Sequence, residues 1–98
     1  MNQTDTETDT KQATDFPSLW GVRFMNDDFT PMDYVIFVLT TVFKLSVEEA
    51  VAITMKVHND GDAIVGAYPK DIAMTKADIA TRDARANGHP LRLKAVEV

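Results

Sequence analysis

Cysteine is absent from this 98-residue chain, and with it go any disulfide framework, thiolate nucleophile or thiolate zinc site. Glycine is scarce: Gly21, Gly61, Gly66 and Gly88 stand singly and far apart, so no glycine-rich loop can cradle a phosphate, and nucleotide binding is disfavoured. Positive charge is also short, with 10 Lys and Arg against 15 Asp and Glu and a formal net charge of -5. That balance argues against a nucleic-acid or anionic-membrane surface, both of which need clustered Lys and Arg. No apolar run approaches the roughly twenty residues that span a bilayer. Neither a signal-peptide core nor an Arg-rich transit segment opens the chain, and a cytoplasmic location is the expectation. There is no internal repeat, and no heptad seam that would argue against a monomer.

What is present suits one compact domain, since 45% hydrophobic residues are enough for one core at this length. Residues 1–18 are Thr, Asp, Gln and Glu with almost nothing to bury, and are read as a disordered acidic tail. The rest, 19–98, is read as the folded domain. Trp20, Val22 and Phe24 alternate as a strand requires, with Gly21 weakening it or marking a bulge. Val35, Val38, Leu39, Val42 and Phe43 recur at helical spacing, with Tyr34 and Phe37 on a second face. Thr30 is expected to cap that helix, with Pro31 at its first position and Asp33 at its third.

Ser46 and Glu49 then form a capping-box pattern before Val47, Ala50, Val51, Thr54, Val57 and His58, and Gly61 stops the second helix. Asp62 to Tyr68 reads as a strand, and Pro69 opens an alanine-rich helix running to about Asn87-Gly88. Leu91, Leu93 and Ala95 alternate with Arg92 and Lys94 in a last strand. The resulting order, β-α-α-β-α-β, predicts an α+β open sandwich: a three-stranded, mostly antiparallel sheet with three helices packed on one side.

Asn26-Asp27-Asp28-Phe29-Thr30-Pro31-Met32 gathers an amide and two carboxylates in front of a helix start. Such residues satisfy a helix macrodipole and its orphan N–H groups, and that plain role stands beside any functional one. A divalent metal would need more ligands than Asp27, Asp28 and His58, and no further Asp, Glu or His lies at a completing spacing. Ser46 is accounted for as a cap, so a serine triad is not credible.

Recognition of a cation remains. A peptide α-ammonium has three N–H donors and wants about three convergent acceptors. The Asn26 carbonyl, the Asp27 carboxylate and a neutral His58 nitrogen would supply them, beside an apolar pocket of Met32, Val35, Thr54, Val57 and Leu91. Ordinary core packing is the competing account of Val35 and Val57. Met32 sits in the first turn beside the acceptors, where a flexible thioether suits a gate.

The heptad 26–32, then Val57-His58 and Gly61, Thr75-Lys76-Ala77, and Gly88-His89-Pro90-Leu91 resemble the ClpS adaptor family over about residues 20–97. The resemblance implies a non-enzymatic adaptor without a cofactor or metal. It would capture proteins with N-terminal Phe, Leu, Tyr or Trp and hand them to a ClpA-type AAA+ unfoldase of the ClpAP protease. Asn26, Asp27 and His58 would hold the substrate α-amino group. Asp28, Thr30, Met32, Val35, Thr54, Val57 and Leu91 would line or support the side-chain pocket, and Asp71 and Lys76 would meet the unfoldase. The tail would take part in delivery. Thr54 departs from the methionine common at that family position, which implies a roomier, more polar pocket. A reading from another class keeps the fold without the pocket: a protein-docking domain like the C-terminal domain of ribosomal stalk proteins, in which Asp71 and Lys76 matter and Asn26 and Asp27 do not.

Overall fold

The computed structural model describes residues 17–98. The tail read as 1–18 lies outside them except for Pro17 and Ser18, which are exposed and without regular structure. Six elements follow in the expected order: β1 (Trp20–Met25), α1 (Met32–Thr41), α2 (Val47–Asp60), β2 (Asp62–Tyr68), α3 (Lys70–Ala86) and β3 (Arg92–Glu97).

The sheet order is β2-β1-β3, with both pairings antiparallel. The first strand in the chain is therefore the central one. Opposite Val22 stand Val65 and Ala95, and opposite Phe24 stand Ala63 and Leu93, so one row of apolar side chains faces the helices. Val22 and Phe24 are fully buried. At about 25 cal/mol per Å² of apolar area removed from water, this row is where the sheet contributes most to stability.

Gly21 marks the bulge anticipated for β1: its pairing register with β2 shifts between Trp20 and Val22. A Cβ at Gly21 would come within 2.7 Å of Ile64 Cγ2 and 2.8 Å of the Gly66 carbonyl oxygen, so only glycine lets the two backbones approach this closely.

The helices cover one side of the sheet. α3 lies over β3 and β1, α2 contacts β2, and α1 rests on α2. Ala73, Ala77, Ala80 and Ala84 form the buried stripe of α3 at i, i+4, i+7 and i+11. Short side chains on that stripe allow the close helix–sheet approach that the alanine content suggested. In α2 the Ser46 hydroxyl accepts from the Glu49 N–H (3.1 Å) while the Glu49 carboxylate accepts from the Ser46 N–H (2.9 Å), completing the capping box. Gly61 ends that helix at φ 96°, a left-handed conformation that a side chain would oppose.

Two local expectations are overturned. Thr30 does not cap α1: Pro31 occupies the N-cap position and no side chain caps the helix. The Thr30 hydroxyl donates backward to Asp27 instead. Val47 and Val51 are exposed, because the buried line of α2 runs through Ala50, Thr54 and Val57. Among the described residues no helix is long and apolar enough to cross a membrane.

Candidate functional site

The loop between β1 and α1 is organised by one carboxylate. Asp27 Oδ1 accepts from the N–H groups of Phe29 (2.8 Å) and Thr30 (2.7 Å), and its Oδ2 accepts from the Thr30 hydroxyl (2.9 Å). Asp and Asn favour this turn because a short side chain can replace a backbone acceptor two or three residues on. Partial burial pushes the Asp27 pKa up, but the bonds from Thr30 and Phe29 and the nearby Arg92 charge outweigh it, leaving the pKa below the ordinary carboxylate value. Of roughly four acceptor positions on a carboxylate, the loop uses three, so Asp27 retains its charge and about one free position.

A second tie fixes the loop from the other side. The Asn26 N–H donates to the Gly61 carbonyl at 2.9 Å, joining the end of β1 to the end of α2. That bond brings the last turn of α2, which carries His58, beside the Asn26-Asp27 segment.

Between these segments lies a cavity of about 260 Å³. Its walls include Asn26, Asp27, Asp28, Thr30 and Met32 from the loop and the start of α1, with Val35 deeper in α1. Thr54, Val57 and His58 come from α2, and Leu91 from the segment before β3. Every residue singled out in the sequence for amine binding or for the pocket therefore borders one cavity. Met25 also lines it. Sequence reasoning assigned Met25 to the strand alone, although its place directly before Asn26 was a signal that it would form the lip.

Burial divides the cavity into two chemistries. Val35, Thr54, Val57 and Leu91 are buried and form an apolar floor, while Asn26, Asp28 and His58 are exposed at the rim. Thr54 is polar but spends its hydroxyl inside its own helix, donating to the Ala50 carbonyl at 2.8 Å. The floor accordingly has no strong unmet donor. Met32 is 40% exposed in the first turn of α1 and borders both zones. The arrangement can take several N–H donors of a cation at its rim while burying an attached apolar group. Among the described residues no group of three His, Asp or Glu side chains is placed to hold a metal ion.

Asp71 and Lys76 do not border this cavity. Asp71 is exposed in the first turn of α3, whereas Lys76 is half-buried. The Lys76 ammonium donates to the Val42 carbonyl at the end of α1 (2.9 Å) and lies over the rings of Tyr68 (5.3 Å) and Phe43 (5.9 Å). It closes α1 onto α3, a structural role its sequence position did not reveal. Tyr34 is likewise engaged: its hydroxyl donates to Asp83 at 2.5 Å and its ring lies 4.4 Å from that of His89, leaving Phe37 as the exposed partner of that pair.

Comparison with known proteins bears on the whole folded region. Residues 15–94 match the family described as ATP-dependent Clp protease adaptor protein ClpS. The ClpS protein of Deinococcus radiodurans is 44% identical over 90 residues, covering 92% of this chain and 80% of that protein. That of Herminiimonas arsenicoxydans is 45% identical over 82 residues, covering 84% of this chain and 80% of its own length. Among solved structures, Agrobacterium tumefaciens ClpS2 bound to L-phenylalaninamide superposes with a TM-score of 0.81 at 36% identity, covering 85% of this chain and all of that one. The chain belongs to the ClpS family of ATP-dependent Clp protease adaptors.

Proposed function

We propose that this adaptor captures proteins through the free α-amino group and bulky apolar side chain of an N-terminal Phe, Leu, Tyr or Trp, and passes them to a ClpA-type AAA+ unfoldase of the ClpAP protease. The observation that carries this proposal is the joining, in one cavity of about 260 Å³, of an acceptor rim with an apolar floor. That volume lies below the roughly 300–1,000 Å³ of pockets that enclose drug-sized ligands, and suits one side chain with its own backbone nitrogen.

At neutral pH an α-amino group is largely protonated and presents three donors. The Asn26 side-chain carbonyl, the remaining acceptor position of Asp27 and a neutral His58 nitrogen receive them, while the Asp28 charge adds to the attraction. Val35, Thr54, Val57 and Leu91 cover the side chain, and Met32 and Thr30 close over it. The Agrobacterium relative's ligand, L-phenylalaninamide, has a free amine, a benzyl group and a carbonyl in place of a carboxylate, which is the chemistry of an N-terminal Phe within a peptide. No bond is made or broken in this capture, so the chain needs no catalytic residue. Asp71 and the surface around Lys76 meet the unfoldase, and residues 1–18 serve as the tail that takes part in delivery.

Fluorescence anisotropy with a ten-residue peptide beginning with Phe, beside its N-acetylated twin, tests the proposal. Acetylation removes the ammonium, so binding of only the free-amine peptide is expected. Binding of the acetylated peptide would sink it, and failure of both would favour docking to a partner through Asp71 and Lys76.

A further inference from the structure

A second, open groove adjoins the pocket. Phe29, Arg85, Gly88, His89, Pro90 and Arg92 line it, with a volume of about 610 Å³. It borders the pocket on two separate strips of chain: Phe29 lies between the pocket residues Asp28 and Thr30, and Arg92 follows the pocket residue Leu91. The two hollows therefore share a rim, and the Arg92 charge is near enough to help hold the Asp27 carboxyl ionised.

The groove's charge is opposite to that of the pocket. Among the described residues two arginines and a histidine line it and no carboxylate does, in a chain whose formal charge is -5. Arg85 is fixed by its bonds to the carbonyls of His89 (3.0 Å) and Leu91 (2.7 Å), neutral acceptors, and among the described residues it pairs with no carboxylate. Arg92 is exposed and pairs with no carboxylate among the described residues. Asp83, which lies near His89 by way of Tyr34, is engaged by the Tyr34 hydroxyl. Phe29 is 80% exposed and its N–H is tied to Asp27, so its ring forms an apolar wall at the shared rim.

We infer that this groove receives the residues following the captured N-terminal residue, and that Arg92 makes an acidic side chain at the second or third position preferable to a basic one. The inference rests on the proposed capture site. It follows from alternation of charge along the path of a peptide: its ammonium meets Asp27, and the next side chains meet Arg92. Both contacts lie at an exposed rim, so the effect is a modest, salt-screened discrimination.

The test uses the full chain and fluorescent ten-residue peptides beginning Phe-Glu, Phe-Ala and Phe-Lys, with a fourth carrying Glu at position eight. The unmodified protein is expected to bind Phe-Glu over Phe-Lys by about three- to tenfold at low salt, with the ratio falling toward one in about 0.5 M NaCl. Arg92→Ala should bring the ratio within about twofold at low salt, and Arg92→Glu should invert it, while Glu at position eight should behave like Phe-Ala. An unmodified protein that does not discriminate, or the same ratio in all three proteins, overturns the inference while leaving capture intact. Failure of the unmodified protein to bind Phe-Ala would instead remove the capture site, and the inference with it.

Discussion

Asp27 takes both the backbone N–H and the hydroxyl of Thr30, at 2.7 and 2.9 Å. The carboxylate proposed to attract a substrate amine is thus also what shapes the loop around it. Charge and shape can be separated by substitution. Asp27→Asn keeps an oxygen for the turn and should cost under about 1 kcal/mol in urea denaturation, yet weaken binding of a Phe peptide by tenfold or more through loss of the charge. Asp27→Ala removes both and should cost about 1–3 kcal/mol as well as binding. Equal binding by the Asn variant and the unmodified protein would mean that the negative charge is not used.

The same carboxyl sets an acid limit. Its folded-state pKa lies below its ordinary value of 3.8, so its stabilising effect is fully present above that value and is lost as pH falls through the lowered one. The stability gap between the unmodified protein and Asp27→Asn should therefore stay constant from about pH 7 to 5 and shrink below about pH 4. Denaturation midpoints across that range provide the check, and a gap that closes already above pH 5 would contradict the bonding described.

Thr54 sets the size of the floor. Thr54→Met adds volume to a buried position lining a cavity of about 260 Å³. It should lower affinity for a peptide beginning with Trp, the largest side chain, more than for one beginning with Leu, by a factor of about three or more. A uniform change across both peptides would place the new side chain outside the pocket.

Ala80 is fully buried on the face of α3 that meets the sheet. Ala80→Leu should destabilise the fold by about 1–3 kcal/mol because a dense interior leaves little room for extra methylenes. Thermal denaturation measures it, and a loss smaller than that of an exposed Met74→Ala control would show that the helix is free to lift.

Lys76 and Asp71 should part company. Lys76→Ala removes the bond to the Val42 carbonyl and should cost about 0.5–1.5 kcal/mol, whereas Asp71→Ala at an exposed site should stay within about 0.5 kcal/mol. Under the proposed function, both should weaken pull-down of a ClpA-type unfoldase. Retained binding in Asp71→Ala would remove this face from the proposed interface.

Where residues pattern locally, the sequence was informative. The alternation of Val22 and Phe24, the Ser46–Glu49 box, the alanine spacing of α3 and the single glycine at 61 each act within a few positions, and each appears in the fold. Competition between neighbours was harder to read. Thr30 is a good cap in isolation, but the tie to Asp27 turns its hydroxyl back into the loop as a donor and Pro31 takes the cap position. The exposed face of Val47 and Val51 depends on which side of α2 the sheet occupies, which spacing alone does not encode. The Lys76–Val42 bond joins residues 34 positions apart and left no local trace. Five of the ten residues singled out for the site, Asn26, Asp27, Asp28, Thr30 and Met32, cluster in one heptad, while Val35, Thr54, Val57, His58 and Leu91 come from elsewhere in the chain and border the same cavity.

The bond from the Asn26 amide to the Gly61 carbonyl has a consequence for quality control. It joins the two banks of the pocket at the point where the β1–β2 pairing and α2 both end. A chain that is misfolded or thermally opened along that seam would lack the intact rim of the proposed capture site. Loss of fold and loss of capture should therefore be one event, and a damaged adaptor would fall silent instead of delivering the wrong cargo.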